Sequence, residues 1–385
     1  MGTLPNVILS TIRGYFKNML EKLMFEERSI HLDKNQSTKA NGYYERKISS
    51  IYGDIDDLQI PRTRDSNFRS ELLPKGSIDP SLERLINELY VTGISTRKIE
   101  DVLANHFGVS VSHSSIARMS NVAYEEVLKW KNRPLKSYSA VFIDAFYFPL
   151  RRNNVQKEAV YVALGITPEG HREVIGFWIP GGSEGSSNWE EIFRDLKSRG
   201  VNEIDFIVAD GLTGISEAIS RVYPNAKYQY CIIHACRSSL NKVRASDKKE
   251  IGQSLKEIYF ADSKEKAKKA LEEFIDKWKR IYPKVTQFWE NNFRKLTSFM
   301  DLPNKLWRFV YTTNWVERLH KEIKRRIKAM EQFQNEISAE RILYSLYTRQ
   351  NEMYQKTGVN GWKDLFKKYK ETSEEKCGKI IAHLG

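Results

Sequence analysis

The chain has 385 residues, 41% hydrophobic and 12% aromatic, enough to bury a substantial core in about two to four units. Lys and Arg number 62 against 49 Asp and Glu, and the formal net charge of +13 suits a polyanionic partner, although a ribosomal or membrane-surface protein would carry the same surplus. Three cysteines, Cys231, Cys236 and Cys377, are too few for a disulfide framework. No stretch reaches the roughly 18 to 20 apolar residues of a membrane span, and no leader is read at the start, so the expectation is a soluble cytoplasmic protein.

Residues 1–75 read as a separate basic region for DNA binding or dimerisation. A short helical segment (Phe16, Met19, Leu20, Leu23, Met24) precedes Tyr43, Tyr44, Ile48, Ile51, Ile55, Leu58 and Ile60, which are punctuated by Gly42, Gly53 and Pro61. That pattern predicts short strands and turns ending in the exposed pair Arg62 and Arg64. Residues 76–135 follow as helices. Asp79-Pro80 starts the first, with Leu82, Leu85, Ile86 and Leu89 at helical spacing, and Thr92-Gly93 breaks it. Ser95 caps a second helix through Ile99, Val102 and Leu103. After the turn Phe107-Gly108-Val109, Ser110 caps a third that offers His113, Ser114, Ser115 and Arg118. This is helix-turn-helix organisation, with side chains suited to base edges and phosphates; a small helical linker would show the same spacing.

From residue 136 the period changes. YSAVFIDAFYFPL, EAVYVALGIT and HREVIGFWIP read as an antiparallel meander. A helix carrying Trp189, Ile192, Phe193 and Leu196 comes next, then the strand EIDFIVADG, another helix, and the strand KYQYCIIHAC. The order is that of an α/β, RNase H-like core, a mixed sheet flanked by helices, spanning 136–244 and resuming at 306–350. Residues 245–305 form an all-helical insertion, with Ile251, Leu255, Ile258, Leu271, Phe274 and Trp278 inside. A long helix from about Trp315 buries Val316, Leu319, Ile323, Ile327 and Met330, and presents Glu317, Lys321, Lys324 and Lys328 on an adjacent stripe. A basic tail, 351–385, carries no chemistry that the sequence identifies.

Asp144 follows Val141-Phe142-Ile143 inside one apolar strand, and Asp210 ends another, Phe206-Ile207-Val208-Ala209. A carboxylate so placed needs its charge compensated. With a glutamate from a packed helix, Glu317, two aspartates at neighbouring strand ends would hold two Mg²⁺ ions, which stabilise the attacking and leaving oxygens of an in-line phosphoryl displacement. Taken singly, Asp144 can face solvent, Asp210 can cap the following helix, and Glu317 can complete a capping box with Asn314.

The blocks GYYERK, LQIPRTR, TGISTRKIEDVL, FGVSVSHSSI, VFIDAFYFPLR, IVADGLTGI, YQYCIIH and YTTNWVERLHKEIKRR resemble the bacterial mutator-type transposases, the IS256 group of insertion-sequence enzymes. The resemblance covers nearly the whole chain. It implies a DDE transposase on an RNase H-like core, with the triad on Asp144, Asp210 and Glu317 and the metal (Mg²⁺, with Mn²⁺ able to substitute) on the same three. It implies that Cys231 and His234 match the family's C-x-x-H signature, with His234 positioning DNA near the scissile phosphate; a zinc site there lacks a fourth ligand of suitable spacing. The implied partners are double-stranded DNA, both terminal inverted repeats and target, and a second copy of the chain, with no membrane and no small-molecule substrate. A copy-out route through a circular intermediate is implied as well. Lys321, Lys324, Arg325 and Lys328, beside the acidic site, read as phosphate contacts. A DNA-bound regulator with an inert core and a stand-alone nuclease are the rival readings.

Overall fold

The computed structural model describes residues 4–73, 76–91, 94–119, 124–151, 154–180, 186–328, 333 and 335–372. Met330, Thr92-Gly93 and Cys377, named above, lie outside them. The chain divides into two compact units, Met1–Tyr124 with Arg326–Glu331, and Glu125–Arg325 with Gln332–Gly385.

In the first unit, helix α1 (Leu4–Lys34) is far longer than the short segment read from the sequence. Its inner face lays Phe16, Leu20 and Met24 on an antiparallel hairpin, β1 (Ala40–Ser50) and β2 (Gly53–Thr63), over a core of Ile48, Ile55, Leu58 and Ile60. Gly53 closes the hairpin at φ 111°, where a side chain would be strained, and Arg13 Nε donates to the neighbouring Tyr52 carbonyl at 3.2 Å. Arg62 and Arg64 are exposed.

A second small core in this unit gathers α2 (Pro80–Val91), α3 (Thr96–Val102), a π-helical turn at Leu103–Phe107 and α4 (His113–Met119) around Leu82, Ile86, Ile99, Leu103, Val109 and Ile116. Ser95 caps α3, accepting from Lys98 N, and Gly108 turns the chain at φ 62°. The cap of α4 is Ser112, whose Oγ accepts from Ser115 N at 3.3 Å; Ser110 does not serve. Val111 is buried, which delays the helix start, and Ser110 N donates instead to Asp54 at 3.2 Å.

The second unit begins with α5 (Tyr124–Lys131) and is built on a five-stranded mixed sheet. β3 (Tyr138–Arg151), β4 (Val155–Ile166) and β5 (Arg172–Trp178) form the antiparallel meander, while β6 (Ile204–Ala209) and β7 (Lys227–Tyr230) run parallel to β3 on its other side, giving the order β5-β4-β3-β6-β7. β3 is central and buried without alternation from Tyr138 to Asp144, as expected of a strand covered on both faces. α6 (Ser186–Ser198) and α7 (Ile215–Val222) cover one face through Trp189, Phe193, Ile215 and Ile219. α14 (Glu336–Gln355) packs against β5 and β3, with Tyr347 5.5 Å from Phe177.

The unpaired edge of β5 is closed by side chains. Asn351 Oδ1 accepts from Val174 N at 2.7 Å while its Nδ2 donates to Val174 O at 3.1 Å, and Arg199 donates to Ile175 O at 2.8 Å. After β7, α8 (Ile232–Leu240) leads into the helical insertion of α9 (Lys248–Tyr259), α10 (Lys264–Trp278), α11 (Pro283–Leu296), a 3₁₀ turn at Ser298–Asp301, and α12 (Asn304–Val310). Trp289 in α11 is fully buried and donates from Nε1 to Ser239 Oγ at 2.9 Å, tying the insertion to α8. The chain then enters α13 (Asn314–Ile327), whose Val316, Leu319, Ile323 and Ile327 are buried as the spacing predicts. No helix among the described residues is long and apolar enough to cross a membrane.

Candidate active site

Sheet register brings the two aspartates together. Ile143 on β3 is opposite Ala209 on the parallel β6, so the next residue of each strand, Asp144 and Asp210, stands at the same level. Ala209 also pairs with Tyr230 at the end of β7, and Cys231 N donates to the Ala209 carbonyl at 2.8 Å. β6 and β7 thus finish side by side next to Asp144, the edge of a parallel sheet where ligands collect.

Cys231 is the N-cap of α8, and the first turn of that helix carries His234. One ligand atom from each of Asp144, Asp210 and His234 lies within 4.8 Å of the others. The Cys231 thiol is fully buried and accepts from Thr313 N at 3.4 Å and from Thr313 Oγ1 at 3.3 Å, while Ile232 N donates to Tyr311 O at 3.1 Å. These bonds seat the start of α13 against α8. One turn along α13, Glu317 Oε1 lies 3.6 Å from His234 Nε2. Glu317 therefore shares the site, but the third side chain close to both aspartates is His234.

α13 reaches Asp144 through another residue. His320, one turn beyond Glu317, places Nδ1 3.2 Å from Asp144 Oδ2, with its ring 4.8 Å from that of Phe146. Asp144 and His320 are both buried, at 7% and 4% exposure, so this contact is little screened by water. Sequence reasoning missed His320, although its i+3 spacing from Glu317 on one helix was a usable signal.

Contact with the Cys231 side chain, helped by Asp210 and Asp144, raises the His234 imidazole to about 9 against the opposing effect of burial. Burial pushes the Cys236 thiol up to about 12, leaving it a protonated, inert group. Tyr228 Oη donates to the Asp210 carbonyl at 2.9 Å and its ring stacks on Tyr230. A Cβ on Gly211 would overlap the end of the Tyr230 side chain, so any larger residue after Asp210 would have to displace that ring.

Two carboxylates and an imidazole make a donor set that suits a divalent cation. Glu317 Oε1 and His320 Nε2 are buried without a hydrogen-bond partner, and buried polar atoms normally have one. The residues present fit such an ion. Asp210 and His234 also line a cleft of about 370 Å³ together with Arg237 and Lys242, two cations the sequence reading did not single out.

The remaining candidates are more dispersed. Lys321, Lys324, Arg325 and Lys328 are exposed, with Arg325 bonded to Glu322 at 3.0 Å. Trp315 packs on Phe309 and donates to its carbonyl at 3.2 Å, with Arg172 4.6 Å from its ring centre, so it serves the fold. In the first unit, His113 Nδ1 lies 3.2 Å from Glu100, Arg118 donates to Ser115 Oγ at 3.1 Å, and the Ser114 and Ser112 hydroxyls are 3.0 Å apart. Arg62 lies over the Tyr44 ring at 5.5 Å.

The family model for Mutator-family transposases matches residues 6–357. The transposase for insertion sequence element IS905 of Lactococcus lactis is 39% identical over 82% of this chain and 81% of its own length. That for IS1201 of Lactobacillus helveticus is 34% identical over 79% of this chain and 82% of its own. That for IS256 in transposon Tn4001 of Staphylococcus aureus is 29% identical over 87% of each. With a family match across nearly its full length, this chain belongs to the Mutator family of transposases.

Proposed function

We propose that the protein binds the terminal inverted repeats of an insertion sequence and hydrolyses a phosphodiester at the element end, and that the freed 3′-hydroxyl then attacks a phosphodiester of another DNA strand, joining to its phosphorus and releasing that strand's own 3′-hydroxyl. The observation that carries this reading is the convergence of Asp144, Asp210 and His234 within 4.8 Å, with Glu317 3.6 Å from His234. The strand order, three antiparallel strands followed by two parallel ones, supports an RNase H-like core.

Asp144, Asp210 and Glu317 would hold two Mg²⁺ ions, or Mn²⁺ in their place, and His234 is within reach as a further ligand. Bound there, such ions polarise the scissile phosphate and stabilise the attacking and leaving oxygens. His320 fixes the Asp144 carboxylate. His234, when not a ligand, donates to a phosphate oxygen and so positions the strand. Arg237 and Lys242 in the cleft, with Lys321, Lys324 and Arg325 on α13 and Lys328 just past its end, hold the phosphodiester backbone.

In the first unit, α2 to α4 act as a helix-turn-helix in which α4 presents His113, Ser114, Ser115 and Arg118 to DNA, while Arg62 and Arg64 contact phosphates. Two copies hold the two element ends, and the product is a circular copy-out intermediate.

Incubating the full chain with end-containing duplex DNA in Mg²⁺ or Mn²⁺ should give nicked and then joined strands, and chelator should abolish both. Absence of cleavage in either metal would overturn the reading; cleavage with no joining would favour a plain nuclease. His320→Leu should weaken Mn²⁺ binding by about 10- to 100-fold in titration calorimetry, with circular dichroism unchanged. An unaltered Mn²⁺ affinity would remove His320 from its positioning role.

A further inference from the structure

Helix α1 has two apolar faces, and among the described residues only one of them is covered. The inner face, with Phe16, Leu20 and Met24, packs on the hairpin, and Arg13, Lys17 and Glu21 bond to Tyr52, Asp57 and Gln59. The outer face carries Ile8, Ile12, Tyr15, Met19, Leu23 and Ile30, each between 39% and 75% exposed. Their offsets from Ile8, four, seven, eleven, fifteen and twenty-two, fall on a single stripe of an α-helix about 33 Å long. Apolar surface in a continuous line marks an interaction site more than scattered exposed side chains do.

The spacing of this stripe is palindromic. Measured from Met19, Tyr15 and Leu23 stand four residues to either side, and Ile8 and Ile30 eleven residues to either side. A second α1 laid antiparallel, with its own Met19 opposite, therefore sets Tyr15 against Leu23 and Ile8 against Ile30. A two-fold interface has this form, in which residue i meets j and j meets i. The stripe holds one acid over this span, Glu26, which falls opposite Ile12 and can extend its carboxylate to water. A parallel pairing would instead press the two Glu26 side chains together, whereas the antiparallel one keeps them about 21 Å apart along the axis. The antiparallel pair also sets the helix dipoles head to tail.

We infer that the outer face of α1 is a homodimer interface in which two copies pair antiparallel about Met19. This rests on the two-copy reading above and supplies its contact surface. In light-scattering chromatography the full chain should elute as a dimer, and Met19→Glu, which places two carboxylates on the axis, should halve the mass with helix content unchanged. Under mild oxidation, mixing Ile8→Cys and Ile30→Cys proteins should give a disulfide-linked pair well above that of the unsubstituted chain, while Ile8→Cys alone should not. A chain that is monomeric throughout overturns both the inference and the two-copy reading. A dimer that survives Met19→Glu, or Ile8→Cys linking to itself, overturns the interface and leaves the two-copy reading standing.

Discussion

Asp144→Asn and Asp210→Asn should each lower metal-dependent cleavage of end DNA by about a thousandfold, equivalent to about 4 kcal/mol of transition-state stabilisation. Sheet register makes the two effects alike. Each aspartate follows one member of the Ile143–Ala209 pair, so the carboxylates stand level and neither is peripheral. Asn keeps the shape of the side chain and still bonds to neighbours, so folding should survive. DNA affinity in a gel-shift assay should not fall, because a negative charge has been removed from beside the phosphates. Cleavage within tenfold of the parent for either variant would dismiss the site assignment, whatever happens to binding. Glu317→Gln should show a loss of the same order if it joins the two aspartates as a ligand. A smaller loss would assign its main role to His234, its observed neighbour at 3.6 Å.

Asn351→Leu should destabilise the second unit by about 1–3 kcal/mol, since it strands the buried N–H of Val174 and takes one of two donors from the Val174 carbonyl. Val174 is fully buried and Asn351 is 8% exposed, so water does not readily take over either bond. Arg133 also donates to the Val174 carbonyl at 2.9 Å, which softens the loss on the acceptor side and leaves the N–H as the larger cost. The unfolding midpoint in urea should fall, with Asn351→Gln recovering part of it. A shift within error of zero would mean that the edge of β5 is satisfied in some other way.

Much of the catalytic unit was legible from local pattern. The three strand runs, the buried stripe of α13 and the apolar faces of the insertion helices all depend on periodicity, which is a property of neighbouring residues. What the sequence could not yield was proximity. His320 has an ordinary place on a helix until Asp144, far away in the chain, is found 3.2 Å from its Nδ1. Likewise Cys231 has the look of an isolated thiol, and only its bonds to Thr313 explain how α13 is set against α8. The α1 helix was underestimated for a different reason. With apolar residues on two faces, its pattern is blurred, and only the stretch from Phe16 to Met24, where residues of both faces crowd together, reads as helical. The Ser110 cap failed by two residues because the burial of Val111 is a tertiary event.

The bonds between Cys231 and Thr313 span the entire helical insertion, and Glu317 follows within a turn. On a ribosome, then, the aspartates and His234 emerge long before their acidic companion, and they stay unable to form the full constellation until α9 to α12 have folded and brought α13 back. The insertion in this way sets an order of assembly: Glu317 can reach the site only after α9 to α12 have been made, while α14, which packs on β5 and β3, follows later still.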